Sequence, residues 1–373
     1  MPLIYNRLVI KLGTGLLTAG TDHLNLQTMA TLVEQISSLH QQNAEIVVVS
    51  SGAVAAGRHK LGKAQAPHNI AHKQVLASIG QSSLMYAYEQ LFGWHDIIVA
   101  QALLTRADLM SRAGYLNARN TLLALSELKA ICIVNENDVV AAEELGEAQF
   151  GDNDYLSAMV ANLVDADLLV NLSDIDGLYT ADPHLSSEAR LIPRVEKIDS
   201  YIESLAGGTV SHQGRGGMAT KIEAAKLATS SGISMVIANG REKDVLLRLS
   251  KGEALGTLFP AATTKMESRK RWMLSGVCCR GQLIADDGAA RAIAQNGKSL
   301  LPAGIREVRG DFQRGDVLEV LNLSGKVLGT GIANYSSRDF AIIKGKHSDA
   351  ILQLLGYEYG EEAIHRNNMV MYE

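Results

Sequence analysis

The sequence predicts an α/β fold in which a mostly parallel central sheet lies between two layers of helices, followed by a small, mostly-β domain. Short apolar runs alternate with segments of helical period along the first 260 residues, which is typical of a three-layer sandwich with a parallel sheet. Several of these runs are followed by short polar loops that contain glycine or serine. After Pro260 the pattern changes to short β-like segments separated by glycine turns.

Composition and charge limit the class of protein. The 373 residues are enough for two or three domains. A net charge of −5 and a pI near 6.1 argue against a protein that mainly coats nucleic acid. Three cysteines cannot form a disulfide framework, so a cytoplasmic location is expected. No apolar segment predicts a signal peptide or a membrane span, and the ten histidines show no metal-ligand spacing.

The first predicted strand, at 8–11, ends in Lys11 and is followed by Gly13-Thr14-Gly15. Glycines after a strand let backbone N–H groups approach phosphate oxygens, and a lysine at the strand end could meet the same oxygens. The alternative is a plain glycine turn beside a solvated lysine. The sequence lacks Gly-x-x-x-x-Gly-Lys-Ser/Thr, which excludes an ordinary P-loop.

The next predicted elements repeat this arrangement. A helix at 26–40 precedes a strand at 45–49, which ends in the small-residue loop Ser50-Ser51-Gly52-Ala53. The elements that follow are, in order, a helix at 71–92, a strand at 97–104, a helix at 112–129, a strand at 131–134 and a helix at 155–164.

Six polar residues flank the strand at 131–134 and the helix at 155–164. They are Asn135, Asn137, Asp138, Asp152, Asn153 and Asp154. Helix capping by Asp152 or Asn153 explains one of them. It does not explain all six, so we expect some of them to bind a ligand.

The next strand, at 168–172, runs directly into Ser173-Asp174 and then Gly177. Ligands of open α/β sheets bind just beyond the carboxyl ends of strands, so this turn is a candidate nucleotide-binding edge. A simple acidic turn is the alternative.

A glycine-rich loop, Gly214-Arg215-Gly216-Gly217, precedes the predicted helix at 218–230. A flexible loop that enters a helix N-terminus is a favourable site for an anion. Lys221 lies in the first turn, where its charge opposes the helix dipole, so the sequence predicts an anion nearby. The strand at 233–237 is expected to be the last of this sheet.

The C-terminal part is predicted to follow a linker at 260–264. Its β-like segments are expected at 305–308, 317–321 and 327–332. Between Lys265 and Asp349, fourteen Lys and Arg residues outnumber nine Asp and Glu residues, so this domain is mildly basic.

Six of these motifs occur in the order seen in the amino acid kinase family, which the chain resembles over nearly its full length. The motifs are Lys11-Leu-Gly-Thr, Ser50-Ser-Gly-Ala, Val134-Asn-Glu-Asn-Asp, Gly151-Asp-Asn-Asp, Leu172-Ser-Asp-Ile-Asp-Gly and Gly216-Gly-Met-Ala-Thr-Lys. Lys270-Arg-Trp and the β-rich tail resemble a PUA domain. The resemblance implies a catalytic domain at 1–260, a PUA domain at 268–350 and a C-terminal tail at 351–373 that packs on the PUA domain.

The resemblance also implies an activity: ATP-dependent phosphorylation of the γ-carboxylate of L-glutamate, the first step of proline biosynthesis. It implies Mg²⁺ as a cofactor, feedback inhibition by proline and a homodimer or homotetramer. RNA is a candidate partner of the PUA domain, and no membrane partner is expected.

The resemblance assigns roles to individual residues. Lys11 and Lys221 are expected to be catalytic, with Asp154 orienting both lysines. The expected ATP-binding residues are Lys11, Gly13, Ser173, Asp174, Arg215, Gly216, Gly217, Met218, Ala219, Thr220 and Lys221. The expected substrate-binding residues are Ser51, Gly52, Asp138, Asp152 and Asn153, and no residue is assigned as a metal ligand. Arg215 departs from the family pattern, in which a small hydroxyl residue is expected.

Three alternatives remain at this point. One is another kinase of the same family, acting on aspartate, N-acetylglutamate, carbamate or a nucleoside monophosphate. A second is an RNA-binding or RNA-modifying protein that works through its tail. The third is a structural or regulatory homologue.

Overall fold

The computed structural model divides the chain into two compact units, residues 1–265 and 266–373. It describes residues 3–62, 70–141, 153–183, 185–206, 217–265 and 279–372. Predicted features that lie outside these ranges include Gly151, Asp152, Gly214, Arg215, Gly216 and the Lys270-Arg-Trp motif. No helix in the described ranges has the length and hydropathy that a membrane span requires.

The first unit contains a seven-stranded sheet. Its strands are β1 (Arg7–Leu12), β2 (Glu45–Ser50), β3 (Val99–Leu104), β4 (Ile131–Glu136), β5 (Leu168–Ser173), β6 (Ser234–Asn239) and β7 (Thr257–Phe259). They lie in the order β3-β4-β2-β1-β5-β6-β7. All neighbouring pairs are parallel except β6 and β7, which are antiparallel. The predicted parallel sheet is therefore confirmed.

Helices cover both faces of this sheet. They are α1 (Thr14–Thr18), α2 (Leu26–Gln41), α3 (Ala53–Leu61), α4 (Ile70–Gly93), α5 (Arg106–Met110), α6 (Arg112–Glu127), α7 (Asn153–Leu163), α8 (Ser200–Leu205), α9 (Met218–Ser230) and α10 (Val245–Ser250). Ile10 of β1 belongs to one core, together with residues of α2, α4 and α10. Its neighbour Val9 belongs to a second core, with residues of α6, α7 and α9. Successive strand residues point to opposite faces, so the two cores are the two sides of a three-layer sandwich.

The sequence analysis did not predict several elements of this unit, namely β7, α3 and the short helices α1, α5, α8 and α10. The strand at 233–237 is not the last, because β7 adds an antiparallel edge strand that is only three residues long. Helix α3 was also missed, because its sequence continues directly from the small-residue loop at Ser50-Ser51-Gly52-Ala53. Close packing on α4 holds α3 in place: a Cβ atom at Gly57 would lie 1.9 Å from the carbonyl oxygen of Leu76.

The last residues of the first unit form hydrogen bonds with the rest of that unit. Lys265 Nζ donates to the carbonyl oxygen of Asp165 at 2.8 Å and to Asp167 Oδ1 at 2.6 Å. The backbone N–H of Ala262 donates to the carbonyl oxygen of Thr229 at 3.0 Å. Ala262, within the predicted linker at 260–264, and Lys265, directly after it, are thus hydrogen-bonded to the rest of the first unit.

The second unit has a five-stranded sheet in the order β12-β11-β10-β8-β9. Its strands are β8 (Gly281–Ala285), β9 (Ile305–Gly310), β10 (Val317–Leu321), β11 (Val327–Ile332) and β12 (Met369–Met371), and its helices are α11 (Asp287–Asn296), α12 (Ser337–Ile343) and α13 (Ile351–Leu355). The three predicted segments are confirmed as β9, β10 and β11. The C-terminal strand β12 pairs with β11, and Ile364 and Met369 belong to the core of this unit.

Candidate active site

A buried carboxylate lies between two buried lysines at the carboxyl edge of the first sheet. Asp154 Oδ1 is 2.5 Å from the Nζ atom of Lys11, and Asp154 Oδ2 is 3.0 Å from the Nζ atom of Lys221. All three residues are at most 4% exposed. They come from β1, α7 and α9, so 210 positions of sequence separate the two lysines that the fold brings to one carboxylate.

Two neutral side chains also donate hydrogen bonds to Asp154. Asn171 Nδ2 donates to Asp154 Oδ1 at 2.7 Å, and Thr220 Oγ1 donates to Asp154 Oδ2 at 2.9 Å. Burial alone would raise the pKa of Asp154. The charges of Lys11 and Lys221, with hydrogen bonds from Lys11 and Asn171, instead hold that pKa well below its usual range. Asp154 is therefore ionised, and the cluster carries a net charge of about +1.

This cluster explains the position of Lys221 in the first turn of α9. The sequence predicts an anion near this lysine, and the structure places the Asp154 carboxylate there. One carboxylate cannot neutralise two ammonium groups, so the remaining positive charge is available to a further anion.

The lysines border a cleft of about 600 Å³. Of the residues predicted to bind ATP or substrate, it is lined by Lys11, Gly13, Ser51, Gly52, Asp138, Asn153, Ser173, Asp174 and Lys221. Met218, Ala219 and Thr220 form the first turn of α9 beside it. Four charged or titratable lining residues were not predicted as site residues: Arg58, His72, Lys73 and Glu136. The basic runs Arg58-His59-Lys60 and His72-Lys73 were the only local signal for three of them.

Helices α3 and α9 begin at this site without a side-chain cap, as the short helix α1 does after Gly13. Helix α3 follows Gly52, and α9 follows Gly217; neither glycine offers a side chain that could cap the first N–H groups. These N–H groups and the helix dipoles favour an anion. Gly15 allows the backbone to lie close to the side chain of Asp174, because a Cβ atom at this position would be 2.7 Å from Asp174 Oδ2.

A relay of three side-chain amides, Gln81, Asn135 and Asn153, links α4 to Ser51 in the loop after β2. Asn153 Nδ2 lies 3.0 Å from Ser51 Oγ and 3.0 Å from Asn135 Oδ1. Asn135 Nδ2 in turn donates to Gln81 Oε1 at 2.8 Å. The backbone N–H of Glu136 also donates to Asn135 Oδ1, at 2.9 Å, which fixes this atom as the oxygen. Gln81 is a further residue that the sequence analysis missed.

Asp138 already has a cation as its neighbour. Lys73 Nζ lies 3.2 Å from Asp138 Oδ1, and both side chains are partly buried in the cleft wall. Asp138 was predicted to bind the substrate, but no sequence pattern indicated that Lys73 would lie beside it. The pair presents one negative and one positive charge side by side, which suits a zwitterionic ligand.

Comparisons with known proteins identify the family of the chain. The profile of the amino acid kinase family matches residues 6–239, and the profile of the PUA domain matches residues 281–355. The chain is 55% identical to a protein of Dehalococcoides mccartyi strain 195 named glutamate 5-kinase, over 98% of each chain. Proteins of the same name from Herpetosiphon aurantiacus and Shewanella pealeana are each 48% identical, over 99% and 98% of each chain respectively.

The family match covers well over half of the chain, and the relatives match it almost from end to end. The chain therefore belongs to the amino acid kinase family and to its glutamate 5-kinase group, with a PUA domain near its C-terminus.

Proposed function

We propose that the protein transfers the γ-phosphoryl group of ATP to the γ-carboxylate of L-glutamate and forms L-glutamyl 5-phosphate, the first step of proline biosynthesis. The observation that carries the proposal is the buried Lys11–Asp154–Lys221 cluster beside a cleft that also holds the Lys73–Asp138 pair. The two lysines of the cluster suit a transferring phosphoryl group, and the Lys73–Asp138 pair suits an amino acid. The names of the relatives support the choice of glutamate.

The reaction needs little covalent help from the protein. A carboxylate is already a nucleophile, so no general base is required, and the main obstacle is its repulsion from the triphosphate. Phosphoryl transfer is accelerated mainly by positioning and by stabilisation of charge. Lys11 and Lys221 supply that charge, and Asp154 holds both ammonium groups in place without neutralising them completely.

The nucleotide is assigned to the side of the cleft formed by the β5 and α9 loops. Ser173 and Asp174 lie at the end of β5, and the N–H groups after Gly217 face the same region. Arg215 and Gly216 belong to the same proposal, although they lie outside the described residues. Mg²⁺ fits this donor set, because it binds through substrate phosphates and one or two carboxylates, and Asp174 offers one. When bound, it would neutralise charge on the β- and γ-phosphates.

Glutamate is assigned to the opposite side of the cleft. The N–H groups at the start of α3, beside Ser51 and Gly52, can hold a carboxylate. Asp138 can accept from the α-ammonium group, and Lys73 can meet the α-carboxylate. Asn153 lines the same cleft and is oriented by its hydrogen bonds to Ser51 and Asn135. Asp152 remains part of the proposed substrate site by resemblance alone.

Finer expectations are part of the same proposal. They are a cytoplasmic location, a homodimer or homotetramer, feedback inhibition by proline and an RNA partner for the PUA domain. We assign catalysis to the first unit and these further properties to the whole chain.

A substrate panel tests the proposal. ADP release would be measured with glutamate, aspartate, N-acetylglutamate, carbamate and UMP, and an acyl phosphate product would be trapped as its hydroxamate with hydroxylamine. Glutamate should give the highest kcat/KM together with hydroxamate. A higher kcat/KM with any other acceptor would replace glutamate as the substrate.

A further inference from the structure

Two histidines and an aspartate meet on the surface of the first unit, away from the cluster described above. Asp22 and His23 lie in the loop between α1 and α2, and His59 lies in the last turn of α3. One donor atom from each side chain lies within 4.8 Å of those of the other two. Among the described residues, no other group of three His, Cys, Asp or Glu side chains comes together in this way.

We infer that Asp22, His23 and His59 bind a divalent transition-metal ion of the Zn²⁺ type, which fastens the α1–α2 loop to the end of α3. Two imidazoles and one carboxylate are a donor set that Zn²⁺ accepts, with a fourth position left to water. Imidazole donors favour Zn²⁺, Ni²⁺ or Cu²⁺ over Mg²⁺ and Ca²⁺, which prefer oxygen ligands.

The three donor atoms would have to move only slightly to coordinate one Zn²⁺ ion. Ligand atoms about 2.0–2.1 Å from a tetrahedral Zn²⁺ are roughly 3.3–3.5 Å apart, somewhat closer than the present limit of 4.8 Å. The imidazole rings of His23 and His59 already lie 5.1 Å apart, centroid to centroid, at an angle of 40°. All three residues are exposed, so rotation about their side-chain torsions can bring the donor atoms together.

The backbone that carries these side chains is held by its own hydrogen bonds. Thr21 Oγ1 donates to the carbonyl oxygen of Thr18 at 2.6 Å, and the N–H of Asn25 donates to the carbonyl oxygen of Leu17 at 2.8 Å. His23 Nδ1 lies 3.0 Å from Asp22 Oδ1. These two atoms are thus nearly as far apart as two ligand atoms of one tetrahedral Zn²⁺ ion.

The α1–α2 loop and helix α3 would connect the proposed metal site to the cleft. A Cβ atom at Gly52 would lie 3.1 Å from Leu24 Cδ2, so the loop packs on the turn where α3 begins. His59 is near the other end of the same helix. A bound metal would therefore restrain both ends of α3 against the α1–α2 loop. The binding inference itself does not depend on the proposed reaction.

Calorimetric titration of the full chain with Zn²⁺, in the absence of nucleotide, tests the site. We expect one saturable site, loss of that site in His59→Gln and His23→Gln, and roughly 10- to 100-fold weaker binding in Asp22→Asn. Millimolar Mg²⁺ or Ca²⁺ should not compete. His347→Gln is the matched control, because His347 and Asp349 form a similar exposed pair, at 3.1 Å, without a third ligand among the described residues.

Hydrogen exchange with and without Zn²⁺ gives a second readout. Slower exchange at 19–25 and 56–61 in the wild-type chain, and not in His59→Gln, would support the fastening of the loop to α3. Equal Zn²⁺ affinity in wild type and His59→Gln, or no saturable binding by the wild-type chain, would overturn the inference. Because all three side chains are exposed, unchanged circular dichroism should show that the variants fold.

Discussion

Asn153 Nδ2 lies 3.0 Å from Asn135 Oδ1, and this contact joins the start of α7 to the end of β4. Both amide orientations are fixed by backbone groups. The N–H of Glu136 donates to Asn135 Oδ1, and the carbonyl oxygen of Ser50 accepts from Asn153 Nδ2 at 3.3 Å. The remaining Asn153 Oδ1 is buried and has no hydrogen-bond partner among the described residues. The Asn153 side chain therefore has one defined orientation beside Ser51.

The first prediction concerns Gln81, which ends this relay. Gln81→Leu removes the acceptor of Asn135 Nδ2 and leaves that donor buried, at a cost of about 1–3 kcal/mol. We expect part of this free energy to be lost from glutamate binding. The KM for glutamate should therefore rise about tenfold while the KM for ATP changes little. Ser78→Ala, on an exposed position of the same helix, is the control. Equal rises in both KM values would mean that the relay supports the fold rather than the glutamate site.

The second prediction concerns Lys11. Lys11→Ala removes one preorganised charge from the transferring phosphoryl group, which typically costs about a hundred- to a thousandfold in kcat. Lys221 remains beside Asp154, so the fold should be retained. Steady-state kinetics would be compared with those of Lys243→Ala, an exposed lysine of the same unit. A Lys11→Ala enzyme with nearly normal kcat would exclude Lys11 from catalysis.

The third prediction concerns Asp154 and pH. Asp154→Asn leaves two buried lysines without their carboxylate, and loss of one partner of a buried pair typically costs about 3–5 kcal/mol of unfolding free energy. The pKa of Asp154 is lowered in the folded state, so its contribution is complete above the pKa of about 3.9 in the unfolded chain. That contribution is lost as the pH falls from there toward the folded-state pKa.

Urea unfolding of wild type and Asp154→Asn at pH 7 and near pH 3 measures this effect. The difference in unfolding free energy should be large at pH 7 and smaller at the acidic pH. A difference that stays the same at both values would mean that the carboxylate is not the ionised partner of the lysines.

The fourth prediction concerns substrate recognition by Asp138. Asp138→Ala should raise the KM for glutamate about 10- to 100-fold, as expected for loss of a charged hydrogen bond, and should change the KM for ATP much less. Lys73→Met tests the partner: it should also raise the KM for glutamate if Lys73 meets the α-carboxylate. A change in the KM for ATP alone would place Asp138 on the nucleotide or metal side.

The fifth prediction concerns the C-terminal part. All proposed catalytic residues precede residue 222, and the first unit has its own sheet and two cores. A chain that ends at Lys265 should therefore fold and phosphorylate glutamate, with altered proline inhibition, magnesium dependence or assembly. A chain that ends at Pro260 loses the Lys265 contacts with Asp165 and Asp167 and should unfold at lower urea concentration.

Kinetics and sedimentation of the two truncated chains provide the measurement. A folded but inactive chain ending at Lys265 would show that the second unit completes the active site. RNA binding by the full chain at low and physiological salt tests the RNA partner separately, because contacts with phosphates weaken steeply as salt rises.

The sequence by itself determined the α/β class, the parallel sheet and the loops that carry the site. These features follow from local periodicity, because a buried parallel strand and an amphipathic helix each impose their own spacing of apolar residues. The loop after β5 was predicted because its polar residues, beginning with Ser173 and Asp174, directly follow a buried strand. Helix α9 was predicted from Met218 to Ser230, as the structure has it, because glycines precede a clear helical period.

Beyond the family resemblance, which implied that Asp154 orients both lysines, only the tertiary structure decided which of these residues meet. Asp154 lies between Lys11 and Lys221 because β1, α7 and α9 converge at one edge of the sheet. No local pattern indicates a pairing across such sequence distances. The same reason explains why Lys73, Gln81 and the short edge strand β7 were missed. The position of each depends on a neighbour in another part of the sequence, which only the strand order and the helix packing bring close. Periodicity indicates only on which side of its own helix or strand a residue lies.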